Sequence, residues 1–208
     1  MYTFFFLYVC SYTSLAQHSD IPMIGIDDGV ILNVGKFPFH SMKEVVSASV
    51  NALLHYLENF SSSSPSLVLG GWSYGGVVAL LVAYELQKHH SSIILSRIIL
   101  FDSPLWKPLQ NDDDHENNIV SDDPQVQRHF NSCTTLLNEY YETLSSINLC
   151  VSCPIIDFRA SQSTYSYEDE VALQQFSTSM VKRTVVPGNH WTILSTENFS
   201  LFLDSIRE

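Results

Sequence analysis

Basic residues are scarce in this chain. Its 208 residues include 10 Lys and Arg against 22 Asp and Glu, which gives a formal net charge of −12 at pH 7. An electrostatic field of this sign repels the phosphate backbone of nucleic acids. The composition therefore predicts that nucleic acid is not a partner.

Long apolar runs are also lacking. A membrane-spanning helix needs roughly 18 or more apolar residues, and the one dense apolar stretch near a terminus, residues 4–10, breaks off at Ser11. A secretory signal is an alternative interpretation, because Ser14-Leu15-Ala16 resembles a small-residue cleavage site. No Lys or Arg precedes the apolar segment, however, and the segment is short for such a signal. We predict no membrane segment.

Cysteines are too few for a disulfide scaffold in a chain of this length. Two of them form a C-x-x-C pair that leads into Pro154 and an apolar strand, whereas a redox pair requires a helix N terminus that lowers the thiol pKa. A zinc site would need two further ligands at suitable spacing, and none is evident. We predict reduced thiols and no metal site for the four cysteines, Cys10, Cys133, Cys150 and Cys153.

Apolar residues make up 45% of the sequence, which is ample for one packed core. We predict a single domain over residues 1–208. Short apolar runs alternate with longer stretches of helical period, as expected for a mostly parallel sheet flanked by helices. The predicted strands are 4–9, 23–27, 67–71, 97–101, 155–159 and 182–186.

Helical segments separate these strands. Ser41 and Glu44 form a capping box at the start of one helix, other helices follow Gly76 and occupy about 196–206, and a further helical stretch covers 126–144. Residues 104–152 contain no convincing strand. An insertion of this size suits a lid over an active site, and its acidic cluster at 112–116 is expected to be a solvated loop.

The chemistry centres on the glycine-rich segment around Ser73. A nucleophile elbow holds serine on a strained turn between a strand and a helix, so the residues two places away must be small. Gly71 and Gly75 meet that requirement. The following helix directs its N-terminal dipole at a developing oxyanion, and the backbone N–H of Tyr74 is placed to donate to it.

A serine nucleophile needs a histidine base that is oriented by a carboxylate, in the order Ser, Asp, His for this fold. Asp102 follows an apolar strand, and His190 lies in a loop after the last strand, so both are expected beside Ser73 at the C-terminal edge of the sheet. Asp157 lies inside a strand and is a weaker candidate. The other seven histidines fall outside the expected order or on helices and the lid, where ordinary structural or surface roles are predicted.

Four segments together resemble the thioesterase domains of polyketide and non-ribosomal peptide synthases, over roughly residues 11–206. They are Leu69-Gly70-Gly71-Trp72-Ser73-Tyr74-Gly75-Gly76-Val77-Val78-Ala79, Leu100-Phe101-Asp102-Ser103-Pro104, Pro154-Ile155-Ile156-Asp157-Phe158-Arg159-Ala160 and Val186-Pro187-Gly188-Asn189-His190-Trp191. The resemblance implies an α/β-hydrolase fold and a thioesterase that takes an acyl or peptidyl chain from the phosphopantetheine arm of a carrier protein. It implies Ser73, Asp102 and His190 as the catalytic residues, no cofactor, and a cytoplasmic location.

The sequence departs from this family after its first strand. The family usually has a Gly-rich turn there that supplies a second oxyanion donor, whereas residues 4–9 run through Cys10 directly into Ser11. We therefore expect a shortened oxyanion loop, in which the N–H of Tyr74 is the assured donor and that of Cys10 or Val9 substitutes for the donor of the missing turn. A carboxylesterase or lactonase of the same fold and a truncated inactive relative remain the alternatives.

Overall fold

Six parallel strands form one sheet in the structure, a computed structural model that describes residues 2–6, 9–27, 38–60, 66–106, 122–163 and 170–207. The spatial order is β2-β1-β3-β4-β5-β6, so the chain starts one strand in from an edge, adds β2 at that edge, and then extends the sheet in the other direction. The strands are β1 Tyr2–Phe6, β2 Met23–Ile26, β3 Ser66–Trp72, β4 Ile94–Phe101, β5 Ile155–Ala160 and β6 Val181–Val186.

Helices cover both faces of this sheet. Three 3₁₀ turns occur in the described residues: Val9–Tyr12 leads into the first α-helix, Gln174–Phe176 follows the fifth, and Thr196–Asn198 leads into the last. The α-helices are α1 Thr13–Gln17, α2 Met42–Phe60, α3 Tyr74–His89, α4 Pro124–Leu144, α5 Glu170–Leu173 and α6 Phe199–Arg207. This mostly parallel sheet between helices confirms the predicted fold class.

Strand side chains alternate between two hydrophobic cores, because successive residues of a strand point to opposite faces of the sheet. Phe4 and Phe6 of β1 pack with helices α2, α3 and α4, whereas Phe5 packs with α1 and α6. The central strands β3 and β4 divide their apolar residues in the same way. Both faces of the sheet are therefore buried, as is usual for parallel sheets.

The first strand differs from the prediction, since it covers Tyr2–Phe6 rather than 4–9. Its pairing with β3 ends at Phe6 and Gly71. The next N–H of β3, that of Trp72, donates instead to the hydroxyl of Tyr12 at 2.6 Å, and this hydroxyl also donates to the carbonyl of Phe6 at 3.4 Å. The Tyr12 hydroxyl thus accepts the hydrogen bond that a longer β1 would accept from β3. A 3₁₀ turn begins at Val9.

The start of α2 has one of the two hydrogen bonds that the predicted capping box contains. The N–H of Glu44 donates to Ser41 Oγ at 3.2 Å, as expected. The Glu44 carboxylate, however, accepts from the N–H of His40 at 2.7 Å, one residue earlier than a capping box places it. Both interactions still satisfy N–H groups at the helix start.

The predicted lid region contains α4, which matches the expected helix over 126–144. Tyr140 and Tyr141 donate to the carbonyls of Leu105 and Pro104 at 3.2 and 2.9 Å, and Glu139 accepts from the N–H of Met42 at 3.0 Å. This helix is therefore fixed both to the exit of β4 and to the start of α2. The acidic cluster at 112–116 lies outside the described residues, and the single-domain boundary stays a prediction.

Within the described parts of the chain, no helix is both long and apolar enough to cross a membrane.

Candidate active site

Ser73 occupies a sharp turn between β3 and α3. Its backbone has φ 56° and ψ −130°, a conformation that L-residues rarely adopt. Its N–H donates to the carbonyl of Phe101 at 2.9 Å, which ties the turn to the end of β4. A Cβ on Gly71 would overlap the backbone of Gly75, so the small residue predicted at this position is required by the close approach of strand and helix.

Gly76 is a second point of close approach that the motif did not reveal. A Cβ there would overlap Ser103 Oγ, in the segment that follows β4. That hydroxyl donates to the carbonyl of Gly71 at 3.4 Å. The elbow is therefore packed directly against the chain that carries Asp102.

The structure brings Ser73, His190 and Asp102 together in one hydrogen-bonded series. The distance from Ser73 Oγ to His190 Nε2 is 3.0 Å, and the distance from His190 Nδ1 to Asp102 Oδ2 is 2.8 Å. A carboxylate at Nδ1 favours the tautomer with a proton on that nitrogen, which leaves Nε2 as an acceptor for the serine proton. Ser73 is half-buried, whereas Asp102 is fully buried.

Two turns hold the histidine and the aspartate at this edge. Asp102 directly follows β4 with φ 48°, and its N–H donates to the carbonyl of Phe158 on β5 at 2.8 Å. In the loop after β6, Gly188 has φ 106°, which favours glycine. The Asn189 side chain accepts from the N–H of Trp191 at 2.9 Å and so shapes the loop around His190.

Four donors surround the Asp102 carboxylate. Oδ2 accepts from His190 and from Ser163 Oγ at 3.0 Å, while Oδ1 accepts from the N–H of Ala160 at 3.2 Å and lies 3.5 Å from Arg159 Nη1. Burial alone would raise the pKa of this carboxyl, but the His190 hydrogen bond, the Arg159 charge and the Ser163 hydrogen bond hold its pKa below the ordinary value of 3.8. Asp102 is therefore ionised at neutral pH.

Sequence analysis missed Arg159 and Ser163. One available signal was a pair of charged residues, Asp157 and Arg159, inside a strand whose six residues are all buried. Charged residues are rarely buried unless they are paired. The pattern therefore indicated a buried ion pair, although not its partner Asp102.

Trp72 contacts His190 through a hydrogen bond and through ring stacking. Its indole N–H donates to the carbonyl of His190 at 2.9 Å, and its ring stacks on the imidazole with centroids 5.0 Å apart. Trp191, the next residue along the chain, is 57% exposed and packs edge-on against both rings. The imidazole therefore lies against two aromatic side chains at the surface edge of the site.

The expected oxyanion donors lie at helix starts. Tyr74 is the first residue of α3, where backbone N–H groups point out of the helix along its axis. Its side chain is buried and directs its hydroxyl to Met42 Sδ at 3.7 Å, away from solvent. Cys10 lies in the 3₁₀ turn Val9–Tyr12 that follows β1. The oxyanion role of both N–H groups stays a prediction.

The competing acids and bases lie in other environments. Asp157 is in β5, where its Oδ2 accepts from Arg183 Nε at 2.7 Å. His89 Nε2 lies 3.4 Å from the Glu85 carboxylate on the exposed side of α3, His129 is buried beside Cys133 on α4, and His18 contacts the carbonyl of Ser14. His115 lies outside the described residues. None of these contacts involves Ser73.

A cleft of about 590 Å³ lies away from Ser73, between α2, α3 and α4. Its walls include Val46, Leu81 and Tyr140, together with charged residues such as Lys43 and Lys88. The hydrogen-bonded series at Ser73 locates the reactive groups more directly than the size of a cleft does. We therefore place the candidate site at the sheet edge.

The C-x-x-C pair, Cys150 and Cys153, lies just before β5. Cys133, Cys150 and Cys153 are free thiols. Burial raises the pKa of the Cys153 thiol to about 11, which opposes the thiolate that redox chemistry and metal binding require. Among the described residues, no group of three His, Cys, Asp or Glu side chains is arranged to hold a metal ion.

No protein-family model and no curated protein sequence matches this chain. Several solved structures, by contrast, match this chain over nearly its whole length. The RedJ thioesterase from the prodiginine pathway of Streptomyces coelicolor aligns with a TM-score of 0.75 and 16% identity, over 99% of this chain and 89% of RedJ. The Vlm2 thioesterase domain aligns with a TM-score of 0.69 and 18% identity, over 99% and 91% of the two chains. Human thioesterase 2 aligns with a TM-score of 0.64 and 16% identity, over 99% and 93%.

These alignments cover nearly the whole chain at low identity, so they establish its fold. The chain has the α/β-hydrolase fold found in thioesterases of natural-product biosynthesis.

Proposed function

We propose that this protein is a serine thioesterase that releases an acyl or peptidyl chain from the phosphopantetheine thioester of a carrier protein. The observation that carries this proposal is the hydrogen-bonded series from Ser73 through His190 to Asp102 at a nucleophile elbow. The fold adds support, because structurally similar proteins include thioesterases of natural-product pathways and a four-domain non-ribosomal peptide synthetase.

Acylation follows from the geometry of this series. Ser73 Oγ attacks the thioester carbonyl while His190 Nε2 takes the hydroxyl proton, and Asp102 stabilises the imidazolium that results. The N–H groups of Tyr74 and Cys10 are the proposed donors to the oxyanion of the tetrahedral intermediate. Its collapse breaks the C–S bond, and the pantetheine sulfur takes the proton from His190 and leaves as a thiol.

Deacylation uses the same groups in a second cycle. His190 removes a proton from water, or from a nucleophile within the acyl chain, as that group attacks the Ser73 ester. The second tetrahedral intermediate expels Ser73 Oγ, which recovers its proton from His190. Water gives a free acid, and an internal nucleophile gives a cyclic product.

A fluorophosphonate probe tests whether the serine is activated at all. Covalent labelling that maps to Ser73 in the wild-type protein, and is lost in Ser73→Ala, is expected because the probe reacts only with an activated serine. An unlabelled, folded wild-type protein would favour the inactive-relative alternative.

A matched pair of substrates tests the thioester assignment. An acyl-pantetheine thioester and an oxygen ester with the same acyl group are compared by kcat/KM, with Ser73→Ala as the blank. We expect the thioester to be preferred. Preference for the oxygen ester would instead favour a carboxylesterase or lactonase of the same fold.

A further inference from the structure

Four buried or nearly buried charges of alternating sign lead away from the site: Asp102, Arg159, Asp157 and Arg183. Arg159 lies 3.5 Å from a carboxylate oxygen of Asp102 on one side and 3.5 Å from one of Asp157 on the other. Arg183, opposite Asp157 in the register of β5 and β6, donates to it at 2.7 Å. We call these four residues the charge series.

The charge series lies within an otherwise apolar layer. Ile155 of β5 packs with helices α2, α3 and α4, so Asp157 and Arg159, two and four residues later, are on the same face of the sheet. The side chains of Asp102 and Asp157 are fully buried, and that of Arg159 is 3% exposed. Removing charges from water is costly, and apolar residues of similar volume often serve stability as well or better. Stability alone therefore does not account for the charge series.

Its contacts converge on the aspartate that orients His190. Arg159 reaches Asp102 Oδ1 through Nη1, while its Nη2 donates to the carbonyl of Ser103 at 3.2 Å, so the guanidinium clamps both the side chain of Asp102 and the adjoining backbone. Ser163 Oγ donates at 3.0 Å to Oδ2, the same oxygen that His190 contacts. Each oxygen of the carboxylate is thereby fixed by a side chain from β5 or the loop after it.

We propose that Arg159 and Ser163 are positioning residues for the proposed serine hydrolase, holding Asp102 ionised and aimed at His190 Nδ1, with Asp157 as the counter-ion that balances Arg159. This inference rests on the proposed function and deepens it. Ser163 fixes the direction of the hydrogen bond to the imidazole. Arg159 adds a positive charge behind the carboxylate.

The positive charge of Arg159 determines in which direction the pH profile of kcat/KM should move when this residue is replaced. His190 must be neutral to take the serine proton, and an uncompensated Asp102 carboxylate would hold a proton on the imidazole more tightly. The described charged and titratable groups around this pair are Arg159, Asp157 and Arg183, with Ser73 on the other side of the ring. Removing Arg159 makes this environment more negative. The acid limb of the kcat/KM profile should then move to higher pH.

Three variants test the proposal on a thioester substrate. Ser163→Ala should lower kcat about tenfold, with KM within about twofold of wild type, since one hydrogen bond to a charged group is lost. Arg159→Met should lower kcat further and move the acid limb to higher pH, whereas Arg159→Lys should keep the limb in place. Two matched controls should keep the wild-type profile: Ser19→Ala, whose hydroxyl contacts the backbone of Ile21 just before β2, and Arg97→Met, whose guanidinium donates to the Ser205 carbonyl.

Wild-type kcat in Ser163→Ala together with an unmoved acid limb in Arg159→Met would overturn the proposal. If Arg159→Met does not fold, the kcat of Ser163→Ala decides the outcome by itself, with unchanged kcat refuting the positioning role. Failure of the proposed function would look different, because wild-type protein would then show no Ser73-dependent turnover. Turnover that depends on Ser73 but ignores these variants would refute the positioning role alone.

Discussion

Ser73 and Asp102 share an unusual backbone conformation, with φ values of 56° and 48°. A residue other than glycine in such a conformation costs roughly 1–3 kcal/mol, which the surrounding structure must offset. Both residues carry groups of the proposed reaction. The turns place Ser73 Oγ and the Asp102 carboxylate on opposite sides of the His190 imidazole.

Two substitutions at Ser73 separate the hydroxyl from the backbone strain. Ser73→Ala and Ser73→Gly should both abolish thioester turnover, because neither supplies a nucleophile. Ser73→Gly should be the more stable of the two by about 1 kcal/mol, since glycine adopts positive φ without steric cost. Activity assays and urea unfolding of the pair measure both effects. Retained turnover in either variant would rule out Ser73 as the nucleophile.

Substitutions of the two buried aspartates distinguish the acid of the reaction. Asp102→Asn should lower kcat by a factor on the order of 10³–10⁴ through loss of the correct histidine tautomer. Asp157→Asn should cost far less, because Asp157 contacts Arg159 and Arg183 rather than His190. The kcat of each purified variant is the measurement. A reversed order of effects would transfer the orienting role to β5.

The approach of Ser73, Asp102 and His190 to one another could be predicted from sequence, whereas the contacts of Asp102 with Arg159 and Ser163 could not. Ser73 and Asp102 each follow a strongly apolar strand, His190 lies in the loop after the last strand, and their order along the chain is typical of one fold. The roles of Arg159 and Ser163 depend on which side chains meet across β4 and β5. That information lies in the pairing of Phe101 with Phe158 and in the turn at Asp102, not in any local pattern.

At the scale of elements, four of the six predicted strands came within one residue of the structure at each end, including the partly exposed β2 and β6. Prediction of 67–71 and 155–159 came within one residue of β3 and β5 at each end. Prediction of 97–101 missed the start of β4 at Ile94, where the strand is more exposed and its apolar signal is interrupted by Ser96 and Arg97. The end of β1 was missed because it is set by a long-range contact from Tyr12.

The connection between β1 and the 3₁₀ turn Val9–Tyr12 carries a prediction about rate. The sequence has no glycine from Phe6 to Tyr12, so it lacks the Gly-rich turn of the thioesterases that it resembles. Loss of one oxyanion donor elsewhere costs about 2.7–4 kcal/mol, or roughly 10²–10³ in kcat. Replacing Cys10 with such a turn should therefore raise kcat on an acyl-pantetheine thioester, with KM nearly unchanged.

The graft has a clear contrary outcome. A parent enzyme that already turns over as fast as ordinary thioesterases, and gains nothing from the added turn, would mean that Val9, Cys10 or another group completes the oxyanion hole. Labelling of Ser73 by a fluorophosphonate in parent and graft is the control, since it requires the activated serine in both.

For the whole molecule, the Asp102 carboxyl links stability to pH. Its pKa in the folded state is depressed below 3.8, so it contributes stability that is present above the unfolded value and is lost as pH falls through the folded value. The difference in unfolding free energy between wild type and Asp102→Asn should therefore shrink as pH is lowered below about 4. Urea unfolding of both proteins over the acid range measures it. A difference independent of pH would contradict the depressed pKa.

Because Trp72 stacks on His190, its fluorescence should report whether the imidazole carries an added proton. A protonated imidazole accepts an electron from an excited indole far more readily than a neutral one, so emission from Trp72 should dim when the imidazole gains a proton. Trp191, which is largely exposed, should emit at longer wavelength than the buried Trp72. Replacing Trp191 and Trp106 with phenylalanine would leave Trp72 as the sole tryptophan. Stopped-flow fluorescence could then follow proton transfer at the histidine during turnover, without a label.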